Sequence, residues 1–132
     1  MINRSIVDYT ILDAATATGA GKTINVSDFR NVVVKIWTAS SANLTVKCQW
    51  AIWQTAPNFG TAQSVSNHWD YIQMVDLQDG SFVNWDTGFV VTGTDDFRLF
   101  EINTNLLNFI TFNVTARSAW STTVSTVLTD NQ

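Results

Sequence analysis

The sequence of 132 residues contains one cysteine, one histidine and one proline, so it has few of the residues that staple small folds or build reactive sites. A single cysteine excludes an intramolecular disulfide and a zinc site made from several thiolates. We interpret Cys48 as a core residue, because free cysteine is among the most often buried side chains. A chain of this length can bury roughly 65–70% of its unfolded surface, so packing alone can stabilise one domain.

Charged residues are also scarce. They make up 14% of the chain, against about a quarter in an average protein, and the net charge is −4. The seven lysine and arginine residues stand singly, which argues against binding to a phosphate backbone and therefore against a nucleic-acid partner. Serine, threonine, asparagine and glutamine take their place, and such a surface suits contact with other protein.

Long apolar runs are missing as well. No apolar stretch reaches the roughly 18 residues of a membrane span. The first residues, 1–5, lack the apolar run of a signal peptide. We therefore expect no membrane partner and synthesis in a cytoplasm.

The stretch 31–53 carries the clearest structural pattern in the sequence, because apolar and polar residues alternate there as they do in β-strands. One predicted strand, 31–39, is followed by the small polar segment 39–43 and by a second strand, 44–53. We predict that the two strands form a hairpin around which the rest of the chain packs. One face of each strand is apolar, and these faces consist of Val32, Val34 and Ile36 in the first strand and Leu44, Val46, Cys48, Trp50 and Ile52 in the second.

The remaining sequence predicts more strands and no convincing helix. These strands are expected over 6–12, 23–26, 69–76, 82–85, 89–92, 97–103, 105–116 and 122–128. With the two hairpin strands these make ten candidate segments, of which we expect eight or nine to form strands. Turns every 8–12 residues between them indicate an all-β fold, an antiparallel two-sheet sandwich of jelly-roll or Greek-key type. We expect one domain over 1–132, with 1–4 as an N-terminal arm. The loop 54–68 is the longest, and loops of this length are usually functional or interfacial.

Few groupings in the sequence could carry chemistry. Asp76 and Asp79 flank a turn, and Asp95 and Asp96 occupy another, but neither pair has the spacing of a calcium loop, and aspartate is a common turn residue. Glu101 is the single glutamate, whereas a glycosidase needs two facing carboxylates. One histidine gives no basis for a Ser-His-Asp arrangement. We therefore expect a protein that is not an enzyme, with no catalytic residue, no cofactor and no metal.

The stretch 19–23 invites comparison with a phosphate-binding loop. That motif needs a glycine at the position of Thr16 and a long helix afterwards, and the sequence offers neither. We interpret residues 14–22 as a flexible loop.

Aromatic residues are the strongest functional signal, since the chain contains six tryptophans. We assign Trp50 to the core. Exposed tryptophan on a β-sandwich commonly anchors a protein interface or stacks on sugar rings. The predicted interface residues are Met1, Ile2, Trp37, Trp53, Pro57, Phe59, Trp69, Trp85 and Trp120. A carbohydrate-binding module is the alternative, motivated by Trp37, Trp53, Trp85 and Trp120.

Several stretches of the chain resemble small β-sandwich proteins of tailed-bacteriophage virions. These are ATATGAGKTINV at 15–26, FRNVV at 29–33, TASSANLTVK at 38–47, AQSVSNHWDY at 62–71 and TGTDD at 92–96. The resemblance covers most of the chain from Ala15 to about Thr115. Proteins of this kind commonly serve as capsid decoration (cement) proteins or tail components, often as homotrimers.

The resemblance implies a structural protein of the virion, synthesised in the cytoplasm of a bacterial host. Within this class we expect a capsid decoration protein that binds the major capsid protein or another virion protein, and the resemblance implies a homotrimer. A tail or fibre-attachment component is the alternative within this class.

Overall fold

The computed structural model describes residues 6–29, 31–103 and 107–129, and within these ranges it contains twelve β-strands. The described part of the chain has no helix long and apolar enough to cross a membrane. The strands are β1 (Ile6–Ala15), β2 (Gly19–Ala20), β3 (Ile24–Asn25), β4 (Asn31–Thr38), β5 (Ala42–Ala51), β6 (Asp70–Ile72), β7 (Met74–Asp76), β8 (Phe82–Val83), β9 (Phe89–Thr94), β10 (Phe97–Asn103), β11 (Phe109–Ala119) and β12 (Thr122–Thr129).

The strands form two sheets, and all pairings between them are antiparallel. Sheet 1 has the order β1-β12-β4-β10-β7-β8. Sheet 2 has the order β2-β11-β5-β6, with β3 also beside β11 and β9 also beside β5. The prediction of an all-β antiparallel two-sheet sandwich is confirmed. The strands outnumber the eight or nine predicted, partly because the predicted strand 69–76 is two strands, β6 and β7, and because the two-residue strand β2 has no readable alternation.

The predicted hairpin between β4 and β5 is wrong, because the two strands lie in different sheets. β4 pairs with β10 and β12 in sheet 1, whereas β5 pairs with β11, β6 and β9 in sheet 2. The polar linker 39–41 carries the chain from one sheet to the other. Alternation in a sequence determines which face of a strand is buried, and it does not determine the neighbouring strand.

The core lies between the inward faces of the two sheets. Val32, Val34 and Ile36 of β4 are fully buried and belong to the same cluster as Val46 and Cys48 of β5. The prediction that Cys48 is a core residue is confirmed, since its side chain is 1% exposed. Burial without a charged partner raises the pKa of this thiol, so it stays protonated at neutral pH.

The outer half of β5 departs from the predicted alternation. Trp50 packs against the core but is only partly buried, and Ile52, beyond the end of β5, is 60% exposed. Gln49 and Ala51, on the opposite face, are fully buried instead. The prediction that Trp50 faces the core is confirmed, although its side chain is only partly buried, whereas the assignment of Ile52 to the buried face is wrong. Ile52 lies past the end of β5, and Gln49 and Ala51 are buried because the segment 52–69 covers the outer face of sheet 2 at this end.

The predicted strand 69–76 is divided between the two sheets. β6 pairs with β5 in sheet 2, and β7 pairs with β10 in sheet 1. The chain therefore crosses the edge of the sandwich at Gln73, which joins the sheets covalently. The stretch around Gln73 contains neither glycine nor proline, so the crossing leaves no turn signal in the sequence.

Asp8 of β1 links three strands of sheet 1 on its outer face. Its Oδ1 accepts a hydrogen bond from Ser125 Oγ at 2.5 Å, and its Oδ2 contacts Lys35 Nζ at 3.1 Å. The Ser125 hydrogen bond, followed by the Lys35 hydrogen bond, holds the pKa of the Asp8 carboxyl below its usual range.

We expect Asp8→Asn to lower the free energy of unfolding at neutral pH by about 0.2–1 kcal/mol, as for an exposed ion pair. The ionised carboxylate stabilises the fold above its unfolded pKa, near 3.8. This stability is lost as the pH falls through the lowered folded pKa. Urea unfolding of both proteins between neutral and acidic pH measures the difference. Asp28→Asn, at an exposed turn carboxylate, is the control. A difference that does not shrink in acid would contradict the assignment.

Candidate functional site

A second, smaller apolar cluster lies outside the main core, between the segment 52–69 and the outer face of sheet 2. Ala51, Phe59 and Trp69 form it and are at most 5% exposed. Trp69 contacts the rings of Phe59 and Tyr71 edge-on, at centroid distances of 6.0 and 5.0 Å. The segment is thus packed onto the sheet, although the described residues between Ala51 and Asp70 contain no named strand.

A buried hydrogen bond also ties this segment to the sheet. Gln49 Nε2 donates to the carbonyl oxygen of Phe59 at 3.0 Å. Phe59 and Trp69 were predicted to be exposed interface residues, and this prediction of exposure is wrong. Their burial could not be predicted, because nothing in the loop sequence indicates which sheet face the loop packs against.

A groove opens beside this cluster, with a volume of about 520 Å³. Its apolar wall consists of Ile52, Trp53 and Val65, which are 60%, 49% and 94% exposed. The Trp53 indole stacks on the His68 ring, with centroids 4.0 Å apart and planes 13° apart. The groove therefore presents an exposed aromatic surface whose orientation is set by a second ring.

The backbone on both sides of the stack is held in place. His68 has a left-handed φ of 63°, and its N–H donates to the Val65 carbonyl at 3.2 Å within a tight turn. On the other side, Asn108 Nδ2 donates to the carbonyl oxygens of Ile52 and Trp53, both at 3.0 Å. Such anchoring lowers the entropy that a ligand or partner would otherwise have to remove on binding.

The opposite wall of the groove is polar. Asp70 Oδ1 accepts hydrogen bonds from Gln63 Nε2 at 2.6 Å and from the Tyr71 N–H at 2.7 Å. No described residue engages Asp70 Oδ2, so this carboxylate oxygen remains available to a ligand. The groove therefore combines an aromatic wall with a hydrogen-bond acceptor.

Asp76 and Glu101, the other titratable residues considered in the sequence, do not line the groove. Asp76 lies in sheet 1, 3.8 Å from the Arg98 guanidinium, and Glu101 is on the outer face of the same sheet. His68 is in the loop over sheet 2. Within the described ranges, no group of three or more metal-ligating side chains is found.

A second candidate surface lies on the outer face of sheet 1. Trp37 of β4 stands opposite Phe97 of β10, and their ring centroids are 6.4 Å apart. Leu99 follows on the same face, and the Leu77 N–H donates to the Leu99 carbonyl at 3.0 Å. We call this face the sheet 1 apolar surface; its exposed apolar residues are Trp37, Leu77, Phe82, Phe97 and Leu99.

The structure separates the predicted interface residues. Trp37 and Trp53 are exposed on opposite sides of the sandwich, and Trp85 and Trp120 are exposed in turns. Pro57 is partly buried in the loop over sheet 2. Met1 and Ile2, like the whole predicted arm, lie outside the described residues. The interface assignment of the exposed tryptophans stays a prediction.

Sequence reasoning missed Leu77, Phe82, Phe97 and Leu99 as surface residues. One signal was present for two of them, because Phe97 and Leu99 alternate onto the same face as Glu101. A charged residue on a strand face indicates that the face meets solvent. The stacking partner of Trp53 had no such signal, since His68 lies fifteen positions further along the chain.

No family model and no curated protein sequence matches this chain. Solved structures do match it. SPBc2 prophage-derived protein YomS is 16% identical, with a TM-score of 0.71 over 98% of this chain and 97% of that one. PBSX exported protein XepA is 12% identical, with a TM-score of 0.71 over 98% of this chain. The alignment spans 39% of XepA. These likenesses establish a shared fold and confirm, at the level of fold, the predicted resemblance to β-sandwich proteins of phage origin.

Proposed function

We propose that this protein is a non-enzymatic structural component of a bacteriophage virion, synthesised in the cytoplasm of the bacterial host. The observation that carries the proposal is the match to a prophage-derived protein over almost the full length of both chains. The finer role is capsid decoration, in which the protein binds the major capsid protein and stabilises the shell. The predicted resemblance supports this role and a homotrimeric state.

The sheet 1 apolar surface supports a function based on protein contact. Soluble monomers rarely expose contiguous apolar patches unless the patch binds a partner. Here the chain's own segment 52–69 covers one end of the outer face of sheet 2, whereas Trp37, Phe97 and Leu99 on sheet 1 remain exposed. Tryptophan and other aromatic residues dominate the binding energy of protein interfaces. We assign the main contact with other virion subunits to this face.

The distribution of titratable side chains supports the non-enzymatic part of the proposal. Catalysis needs an acid or base beside a nucleophile or electrophile within a cavity. His68 lies over sheet 2, whereas Asp76 and Glu101 lie on neighbouring strands of sheet 1 with their side chains on opposite faces. The groove at His68 supplies one carboxylate, Asp70, which is already bonded to Gln63.

We expect the double substitution Trp37→Ala and Phe97→Ala to weaken binding to virion particles by roughly 30-fold or more, as for loss of a 2 kcal/mol hot spot. Both side chains are exposed, so the fold of the isolated chain should remain intact. Co-sedimentation with particles stripped of this protein measures the affinity. Analytical ultracentrifugation of the same samples measures self-association.

Val90→Ala is the control, because Val90 is 49% exposed on β9 of sheet 2, belongs neither to the sheet 1 apolar surface nor to the predicted interface residues, and should bind particles like the wild type. Equal binding by the double variant and the wild type would exclude the sheet 1 apolar surface as the contact. Binding to isolated tails rather than capsids would favour the tail component. A monomer with no affinity for either would overturn the virion role.

A further inference from the structure

We propose that the groove beside Trp53 is a binding site for a neutral saccharide, with one sugar ring stacked on the exposed part of the indole. The site goes beyond the structural role and does not depend on it. It lies on the side of the sandwich opposite the sheet 1 apolar surface, so both surfaces can be occupied at once.

The aromatic wall fits the apolar face of a sugar ring. Trp53 is 49% exposed and lines the groove, while His68 stacks on it at 4.0 Å and fixes the plane of the indole. A large, rigid aromatic surface binds flat ligands with little loss of side-chain entropy. Ile52 and Val65 also line the groove and add to its apolar surface.

The polar wall fits the hydroxyl groups of the same ring. Sugar hydroxyls donate hydrogen bonds, and a carboxylate accepts such bonds more strongly than a neutral oxygen does. Asp70 is held in position through Oδ1 by Gln63 and by the Tyr71 N–H, which leaves Oδ2 for the ligand. A wholly apolar peptide segment in this groove would desolvate Asp70 without giving it a partner, and that is costly.

Charge and size narrow the class of ligand. The described residues that line the groove include one carboxylate and neither lysine nor arginine. An acidic sugar or a phosphate would therefore meet the like charge of Asp70 with no lysine or arginine to compensate it. The volume of about 520 Å³ falls within the range of roughly 300–1,000 Å³ that is usual for small-molecule sites. A short neutral oligosaccharide matches both constraints.

The test titrates the full chain with chitotriose, cellotriose and maltotriose, and with trigalacturonate as an anionic probe, by calorimetry and tryptophan fluorescence. We expect saturable binding of at least one neutral probe and none of trigalacturonate. Trp53→Ala should weaken binding about tenfold or more, which corresponds to the loss of one aromatic contact. Asp70→Asn, which retains an oxygen for Gln63, should weaken it several-fold. Trp37→Ala and Trp85→Ala should leave it unchanged.

Val65→Lys is a second variant, and it should fold like the wild type because Val65 is 94% exposed. The added cation should reduce the discrimination against trigalacturonate. The proposal is overturned if no neutral probe binds with a Kd below about 10 mM. It is also overturned if Trp53→Ala and Val65→Lys both bind like the wild type, or if the wild type prefers the anionic probe.

Discussion

Replacing Phe100 with alanine is expected to lower the free energy of unfolding by about 3–5 kcal/mol. The ring is fully buried in β10, between β4 and β7, and it contacts Phe89 edge-on at 5.2 Å. Truncation removes the buried apolar surface and leaves a cavity between two sheets that are joined at Gln73 and have little freedom to close it. Urea unfolding followed by tryptophan fluorescence measures the change.

Phe82→Ala is the matched control for this experiment. Phe82 is 67% exposed on the outer face of the same sheet, so the same truncation should change stability by no more than about 0.5 kcal/mol. If Phe100→Ala lost less than about 1 kcal/mol, the sheets would have to pack through other residues. An equal loss in both variants would show that the inner and outer faces had been exchanged.

Replacing Trp69 with alanine should have a comparable effect, about 3–5 kcal/mol, although this residue lies outside the main core. Trp69 is 5% exposed, packs against Phe59 and Tyr71, and donates from Nε1 to Thr61 Oγ1 at 3.3 Å. Its removal should release the segment 52–69 from sheet 2. Limited proteolysis should then cut within this segment before the rest of the chain unfolds.

Trp53→Ala is the control for Trp69→Ala. It shows whether the loss of stability comes from removing a buried side chain or from removing any tryptophan of this segment. Trp53 is in the same segment but is half exposed, and its main contact is the stack on His68. Its truncation should lower stability by only about 0.5–1.5 kcal/mol, as expected for an aromatic pair. Early proteolysis of Trp53→Ala but not of Trp69→Ala would mean that the stack, and not the buried cluster, holds the segment.

The sequence predicted the strands and their buried faces better than it predicted how the strands are arranged. The alternation of Leu44, Val46 and Cys48 located β5 and its inward face, because alternation follows directly from backbone geometry. The partner of β5 is β11, more than fifty residues away in sequence, and alternation carries no information about that pairing. The small polar segment 39–43 suits a hairpin turn and a crossing between sheets equally well.

The candidate site, too, could be predicted from the sequence only in part. Tryptophan content indicated a binding function, and Trp37 and Trp53 are indeed exposed. Which aromatic residues stay exposed depends on where the segment 52–69 folds, and that position depends on contacts such as Gln49 with Phe59. Nothing in the sequence around such residues marks them as contact partners. The groove could therefore not be predicted from the sequence.

The pairing of β1 with β12 has a consequence for how the chain acquires its fold. Ile6 stands opposite Thr129, so β1 cannot pair with its partner until β12 has been synthesised. Successive strands such as β4 and β5, or β9 and β10, also belong to different sheets, so few pairings form locally. Proteins dominated by such distant pairings fold in roughly milliseconds to seconds. Sheet 1 is therefore incomplete until β12 has been synthesised, and until then β1 and β4 each keep an unpaired strand edge that can pair with another chain.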